Sequence, residues 1–159
     1  MPKTIFQTNK KVHLKKQPKT TNLATPEIDK RSVARQYAFE ICYSLLFDKE
    51  NIAIQRYQEH PHYQKYIVPM HQILLDNFDK ILAIVQKEAE GYKTERLYKV
   101  DLAIMMLATA EMLYFDKIPT EVSINEALEL AKVYSTTKSP KYINGVLAGV
   151  VKAIQAEWQ

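Results

Sequence analysis

The sequence predicts an all-α protein, a compact bundle of about six or seven helices behind a basic N-terminal arm. Three observations carry this. From residue 25 onward, apolar residues recur at spacings of three and four, the period of a helix with one buried face. Glycine is scarce, with only Gly91, Gly145 and Gly149, which argues against an all-β fold full of tight turns. Helix-start residues stand at Thr25-Pro26-Glu27 and Ser139-Pro140. At 159 residues and 47% hydrophobic, the chain is long enough for one domain with a sizeable core.

Residues 1–24 hold few apolar side chains, many Lys and Thr, and Pro2 and Pro18. Such a segment buries too little surface to offset its ordering entropy, so a disordered arm is expected, with the domain spanning 25–159. The first helix takes Thr25 as N-cap and Pro26 at its first position. It runs to about Phe47, with Val33, Ala34, Tyr37, Ala38, Ile41 and Leu45 on one face and Arg31 and Arg35 together on another, beside Lys30. His60-Pro61-His62 is expected to break the helix. A second helical region, 63–90, buries Ile67, Ile73, Leu74, Phe78, Ile81, Leu82 and Val85. Pro69 is expected to kink or restart it, and Gly91 to stop it.

The central helix covers 94–115. From Val100 to Phe115 it is apolar on nearly all sides, as befits a helix surrounded by others. With Asp101 and Glu111 inside, it is too short and too polar to span a membrane. Ser123-Ile124-Asn125-Glu126 reads as a capping box, opening a helix whose apolar face is Ile124, Ala127, Leu128 and Ala131. The last helix opens at Ser139-Pro140 and buries Ile143, Val146, Leu147, Val150, Val151 and Ile154. Gly145 and Gly149 lie four apart in it. Each costs about 1 kcal/mol relative to alanine, so a close approach by a neighbouring helix or a ligand is expected there.

Several function classes are disfavoured. No Gly-x-Gly-x-x-Gly and no Gly-Lys-Ser/Thr occurs, so P-loop nucleotide chemistry is not expected. Asp101 and Glu111 are about 15 Å apart along a helix, too far to act as a paired acid and base. His60 and His62 alternate like metal ligands but have no cysteine nearby, so no metal site is expected. Cys42, the only cysteine, sits in an apolar helical stretch and reads as a small core residue. The absence of a signal-like run, and of any stretch of 18 apolar residues, leads to the expectation of a soluble cytoplasmic protein without membrane contact.

The net charge of +4 is unevenly distributed. Residues 1–35 carry nine Lys and Arg against two acids, and the remainder thirteen against sixteen. A basic arm on a mildly acidic body suggests a polyanionic partner. A solvated tail is the alternative.

Segments spread in order along residues 30–154 carry a family resemblance. They are Arg31-Ser32-Val33-Ala34-Arg35-Gln36-Tyr37-Ala38, Arg96-Leu97, Val100-Asp101-Leu102-Ala103-Ile104, Ala110-Glu111-Met112-Leu113, Ile118-Pro119, Asn125-Glu126-Ala127 and Lys141-Tyr142-Ile143-Asn144-Gly145-Val146-Leu147. Together they resemble the NusB family of transcription antitermination proteins, small all-helical RNA-binding proteins. The chain departs from that pattern where Ser32 and Val33 interrupt the basic run, at Ser135 in place of a frequent glycine, and at Ala148-Gly149 in place of an acid.

The resemblance implies a non-enzymatic factor, without a cofactor, that pairs with NusE, a small-subunit ribosomal protein. The pair binds single-stranded boxA-like RNA and acts with the transcription elongation complex in ribosomal RNA operons. Some family members form a homodimer through the RNA surface. On this basis Lys30, Arg31 and Arg35 are candidates to neutralise phosphates. Lys138 and Lys141 flank the start of the last helix, where free amides also favour phosphate. Tyr142 is either a stacking ring or a core tyrosine. Asn144 either reads a base edge or caps a backbone group. The resemblance assigns Glu95, Arg96 and Asp101 to the NusE contact, with local salt bridging as the alternative. Two rival readings are a domain related to those of ribosomal RNA cytosine methyltransferases, and a helical protein-interaction module without RNA binding.

Overall fold

The structure, a computed structural model, describes residues 26–48, 53–92 and 97–158, with the side chains of 31–48, 53–92 and 97–157. The expected arm, 1–24, and the expected cap at Thr25 lie outside the described residues. Five α-helices stand among those residues: α1 (Pro26–Leu45), α2 (Val68–Ala89), α3 (Lys99–Tyr114), α4 (Thr120–Tyr134) and α5 (Ser139–Trp158). A 3-10 turn (Ile54–Tyr57) and a π turn (Tyr63–Ile67) join α1 to α2. Counted with these two short turns, seven helical segments stand among the described residues, in line with the expected six or seven.

Helix α3 is the axis of the bundle and packs against α1, α2, α4 and α5. Every residue from Asp101 to Leu113 is buried, as the unbroken apolar run requires. Fully burying a side chain such as Ile104, Met105 or Leu107 contributes about 1.5–3 kcal/mol, so this one helix supplies a large share of the folding drive. The α2 stripe is Met70, Leu74, Phe78, Ile81, Val85 and Ala89, spaced by three and four. Cys42 is wholly buried, and burial pushes its thiol up to about 12, so at neutral pH it is a protonated core group.

The restart expected at Pro69 is present: the π turn ends at Ile67, and α2 opens at Val68 with Pro69 in its first turn, where its missing N–H costs nothing. The kink in α2 is at Asn77 (φ −125°, ψ 18°), whose side-chain amide donates to the Ile73 carbonyl at 3.0 Å. At the end of α2, Glu90 stays right-handed (φ −59°, ψ −27°), and the Tyr92 amide closes the turn onto the Ala89 carbonyl. Gly91 therefore follows the helix without supplying a left-handed cap.

The close approach expected at the two α5 glycines is present. The Tyr92 hydroxyl and ring edge lie against Gly145, and the Glu88 carboxylate lies against Gly149. The two cases differ mechanically. A Cβ at position 149 would meet Glu88 Oε2 at 2.5 Å, the free end of a flexible chain. At 145 it would meet the rigid Tyr92 ring. Gly149→Ala is therefore expected to stabilise the fold by up to about 1 kcal/mol through helix propensity, and Gly145→Ala to gain clearly less or to lose. Urea unfolding of both variants checks this, and equal gains would mean that the Tyr92 ring gives way freely.

Candidate nucleic-acid interface

The predicted site residues separate into two groups at opposite ends of α3. At its C-terminal end, Glu111 is 1% exposed and sits among α1, α4 and the π turn. Arg35 reaches it from α1 as a fork, Nε to Oε2 at 2.9 Å and Nη2 to Oε1 at 3.3 Å. The Tyr66 hydroxyl donates to the same carboxylate, as does the Ser123 hydroxyl at 3.0 Å. The Arg35 guanidinium also lies 5.8 Å from the Tyr66 ring centre and 3.8 Å from Glu126, which in turn accepts from Ser32.

Burial alone would lower the Arg35 pKa, but Glu111, with Tyr66 and Glu126, outweighs it and holds the guanidinium above its ordinary value. Burial first, then Glu111, pushes the Tyr66 hydroxyl well up. Burial also raises Glu126, against the opposing pull of Arg35.

This corrects two expectations. Arg35 is 3% exposed and its charge is spent on Glu111, so it is not a phosphate ligand. Its four-residue spacing from Arg31 suggested a common basic face, but Arg35 turns inward with Ala34 and Ala38. Ser123 and Glu126 are not a capping box either. Helix α4 already starts at Thr120, and both side chains turn toward the buried ion pair. Arg31 is half-buried on α1. The side chain of Lys30, and residues Glu95 and Arg96, lie outside the described residues.

At the other end of α3, Asp101 is 2% exposed. It accepts from the Ser135 hydroxyl and, at 3.0 Å, from that of Ser139. Ser139 also lies 2.8 Å from the Ser135 hydroxyl and 2.9 Å from that of Thr136. The carboxylate thus ties down the turn between α4 and α5, and its bonds here are local, to the hydroxyls of that turn. Ser135, where a glycine was expected, has a structural role in this latch.

Beside the latch lies a groove of about 400 Å³ lined by Tyr98, Asp101, Thr136, Thr137, Lys138, Ser139 and Tyr142. Tyr98 is 55% exposed. Tyr142, half-buried, meets Tyr92 edge-on at 5.4 Å between ring centres. Lys141 and Asn144 are exposed on the first turns of α5. Of the predicted residues, Lys138 and Tyr142 share the groove wall. Tyr98 was missed because it reads as an interior position of the expected helix 94–115, whereas α3 starts only at Lys99. Among the described residues, no cluster of three His, Cys, Asp or Glu could hold a metal, and no helix is long and apolar enough to cross a membrane.

Four α-helices packed around a buried axial fifth, with a groove lined by tyrosines and a lysine at one end, define a small all-helical protein among the described residues. Residues 32–152 match the model of the NusB family, and the chain belongs to that family. Over 134 residues it is 40% identical to the transcription antitermination protein NusB of Natranaerobius thermophilus, covering 78% of this chain and 96% of that protein. It is 38% identical over 128 residues to the protein of the same name from Acetivibrio thermocellus, covering 77% and 88%. A solved structure of T. maritima NusB superposes with a TM-score of 0.62 at 29% identity, covering 77% of this chain and 90% of that one. The solution structure of NusB from Aquifex aeolicus shares the fold, with a TM-score of 0.65 at 23% identity over 82% and 93%.

Removing one partner of a buried ion pair strands the other charge. Arg35→Ala is therefore expected to lower the unfolding free energy by about 3–5 kcal/mol. The double variant Arg35→Met/Glu111→Gln should recover more than half of that loss, since the glutamine can accept from Tyr66 through its amide oxygen and donate its N–H to the Ser123 hydroxyl. Urea denaturation of the two variants decides it.

Proposed function

We propose that this chain is a transcription antitermination factor that binds single-stranded boxA-like RNA together with NusE and supports ribosomal RNA transcription within the elongation complex. The observation that carries the reading is the groove at the start of α5, where two tyrosines and Lys138 surround a space of about 400 Å³. The names of the relatives support the same role.

The chemistry assigns parts to the groove. Asp101 at its floor repels phosphate, so the interior takes a base or a ribose. Tyr142 and Tyr98 offer ring faces for stacking, a sequence-tolerant source of affinity. Lys138 and Lys141 stand at the rim, next to the open amides of α5, where the phosphates belong. Asn144, one turn on, is close enough in sequence to read a base edge. Arg31, and Lys30 beside it, supply phosphate contacts at the far end of α1, beyond the groove. NusE is assigned to the segment entering α3, through Glu95 and Arg96. Binding, not catalysis, is the whole of this role. A homodimer formed through the same face would compete with RNA.

The test is equilibrium binding to a boxA-like RNA and a scrambled control across salt, with and without NusE. The expected outcome is selective binding, strengthened by NusE. Lys138→Ala/Lys141→Ala should weaken it and flatten the salt dependence by about 0.7 per lost single-strand phosphate contact. Equal, weak binding to both RNAs, unmoved by NusE or by the substitutions, would falsify the proposal and favour a protein-interaction module.

A further inference from the structure

The stretch joining α1 to α2 turns on a histidine. The π turn takes its start from His62, whose carbonyl accepts from the Tyr66 amide at 2.9 Å and from the Ile67 amide at 3.1 Å. The His62 amide in turn donates to Nδ1 of His60 at 3.0 Å. An asparagine makes this bond in an Asx turn. Here an imidazole makes it, across Pro61. The bond needs a lone pair on Nδ1, so the ring is held neutral with its proton on Nε2. Tyr66 depends on the turn that follows, and it is the buried hydroxyl that donates to Glu111.

Half-buried His60 is packed among other titratable groups. From α1, Tyr37 meets its ring edge-on at 5.5 Å between centres, and His62 lies tilted at 5.8 Å. Tyr37 also stacks on Tyr57 at 4.5 Å. The charges about that stack, Glu40 and Arg56, pair with each other at 3.3 Å. Glu59 and Lys65 are exposed. Helix α2 also packs on the π turn. Its titratable group nearest in sequence is His71, whose pKa is lowered by burial.

We infer that the stretch joining α1 to α2 is an acid-sensitive joint: a proton on Nδ1 of His60 removes the acceptor of the His62 amide, frees the start of the π turn and loosens the contact of Tyr66 with Glu111. The closed joint needs the neutral ring, whereas a solvated imidazole takes up a proton near pH ~6.5. The stability of the joint is therefore fully present above about pH 7 and is lost as the pH falls. The inference is independent of what the groove binds.

Native-state hydrogen exchange of the full chain tests it. Corrected for intrinsic rates and referred to amides of α3, protection of the Tyr66 and Ile67 amides should fall about tenfold between about pH 7.5 and about pH 5. His60→Asn sets an amide oxygen where Nδ1 stands and should hold protection level across that range. His60→Gln reaches the Nε2 position instead and should show low protection at both ends. His71 and the carboxylates titrate alike in all three chains. Nitrogen NMR of the parent histidines gives a reading that does not depend on how the variants fold, and the Nε2–H tautomer of His60 is expected at neutral pH. The inference is overturned by an equal fall in the parent and His60→Asn, by an Nδ1–H tautomer of His60, or by a fall that follows protonation of His62 while His60 stays neutral.

Discussion

The fold hangs on a carboxylate that has no water to turn to. Glu111 is buried in the most apolar helix of the chain, and an isolated charge there would cost several kcal/mol. Arg35, Tyr66 and Ser123 each supply a donor to it. Those three residues come from α1, the π turn and α4. Satisfying one side chain therefore fixes three elements around the axial helix, and it fixes them in register, because the Arg35 fork accepts only a narrow geometry. Replacing the pair by apolar groups could give similar stability, but it would remove the directional constraint that a purely hydrophobic contact lacks.

That constraint bears on the groove through antiparallel packing. With Arg35 at the Glu111 end of α3, α1 runs back so that Phe47 reaches Lys99 at the opposite end. Helix α4 likewise runs from Ser123, beside Glu111, to Ser135, beside Asp101. The Asp101 latch then sets the turn from which Lys138 and Tyr142 emerge. Two buried carboxylates on one helix thus act as fixed points, one for assembly of the bundle and one for the face presented to a ligand.

The sequence pattern made some of this visible and hid the rest for physical reasons. The axial helix was legible because burial on every side forces an apolar run that nothing else explains. The α5 glycines were legible because their helix-propensity cost needs a compensating contact. Arg35 was not, since a basic residue four positions from another looks the same whether it faces water or a partner 76 residues away. Ser123 and Glu126 misled for a related reason: the spacing of a capping box is also that of two side chains pointing to one side of a helix. In the groove, the neighbours Lys138 and Tyr142 could be paired from their spacing alone. Tyr98 required knowing where α3 begins, and the role of Asp101 required knowing that Ser135 and Ser139 fold back onto it.

The central claim is that the groove at the start of α5 is where RNA lies. Ultraviolet cross-linking of a boxA-like RNA to the full chain in the presence of NusE, followed by mapping of the modified residues, tests it most directly. The account predicts cross-links at Tyr98, Lys138 and Tyr142. Cross-links confined to the far end of α1, around Arg31, with those three residues unmodified, would contradict it.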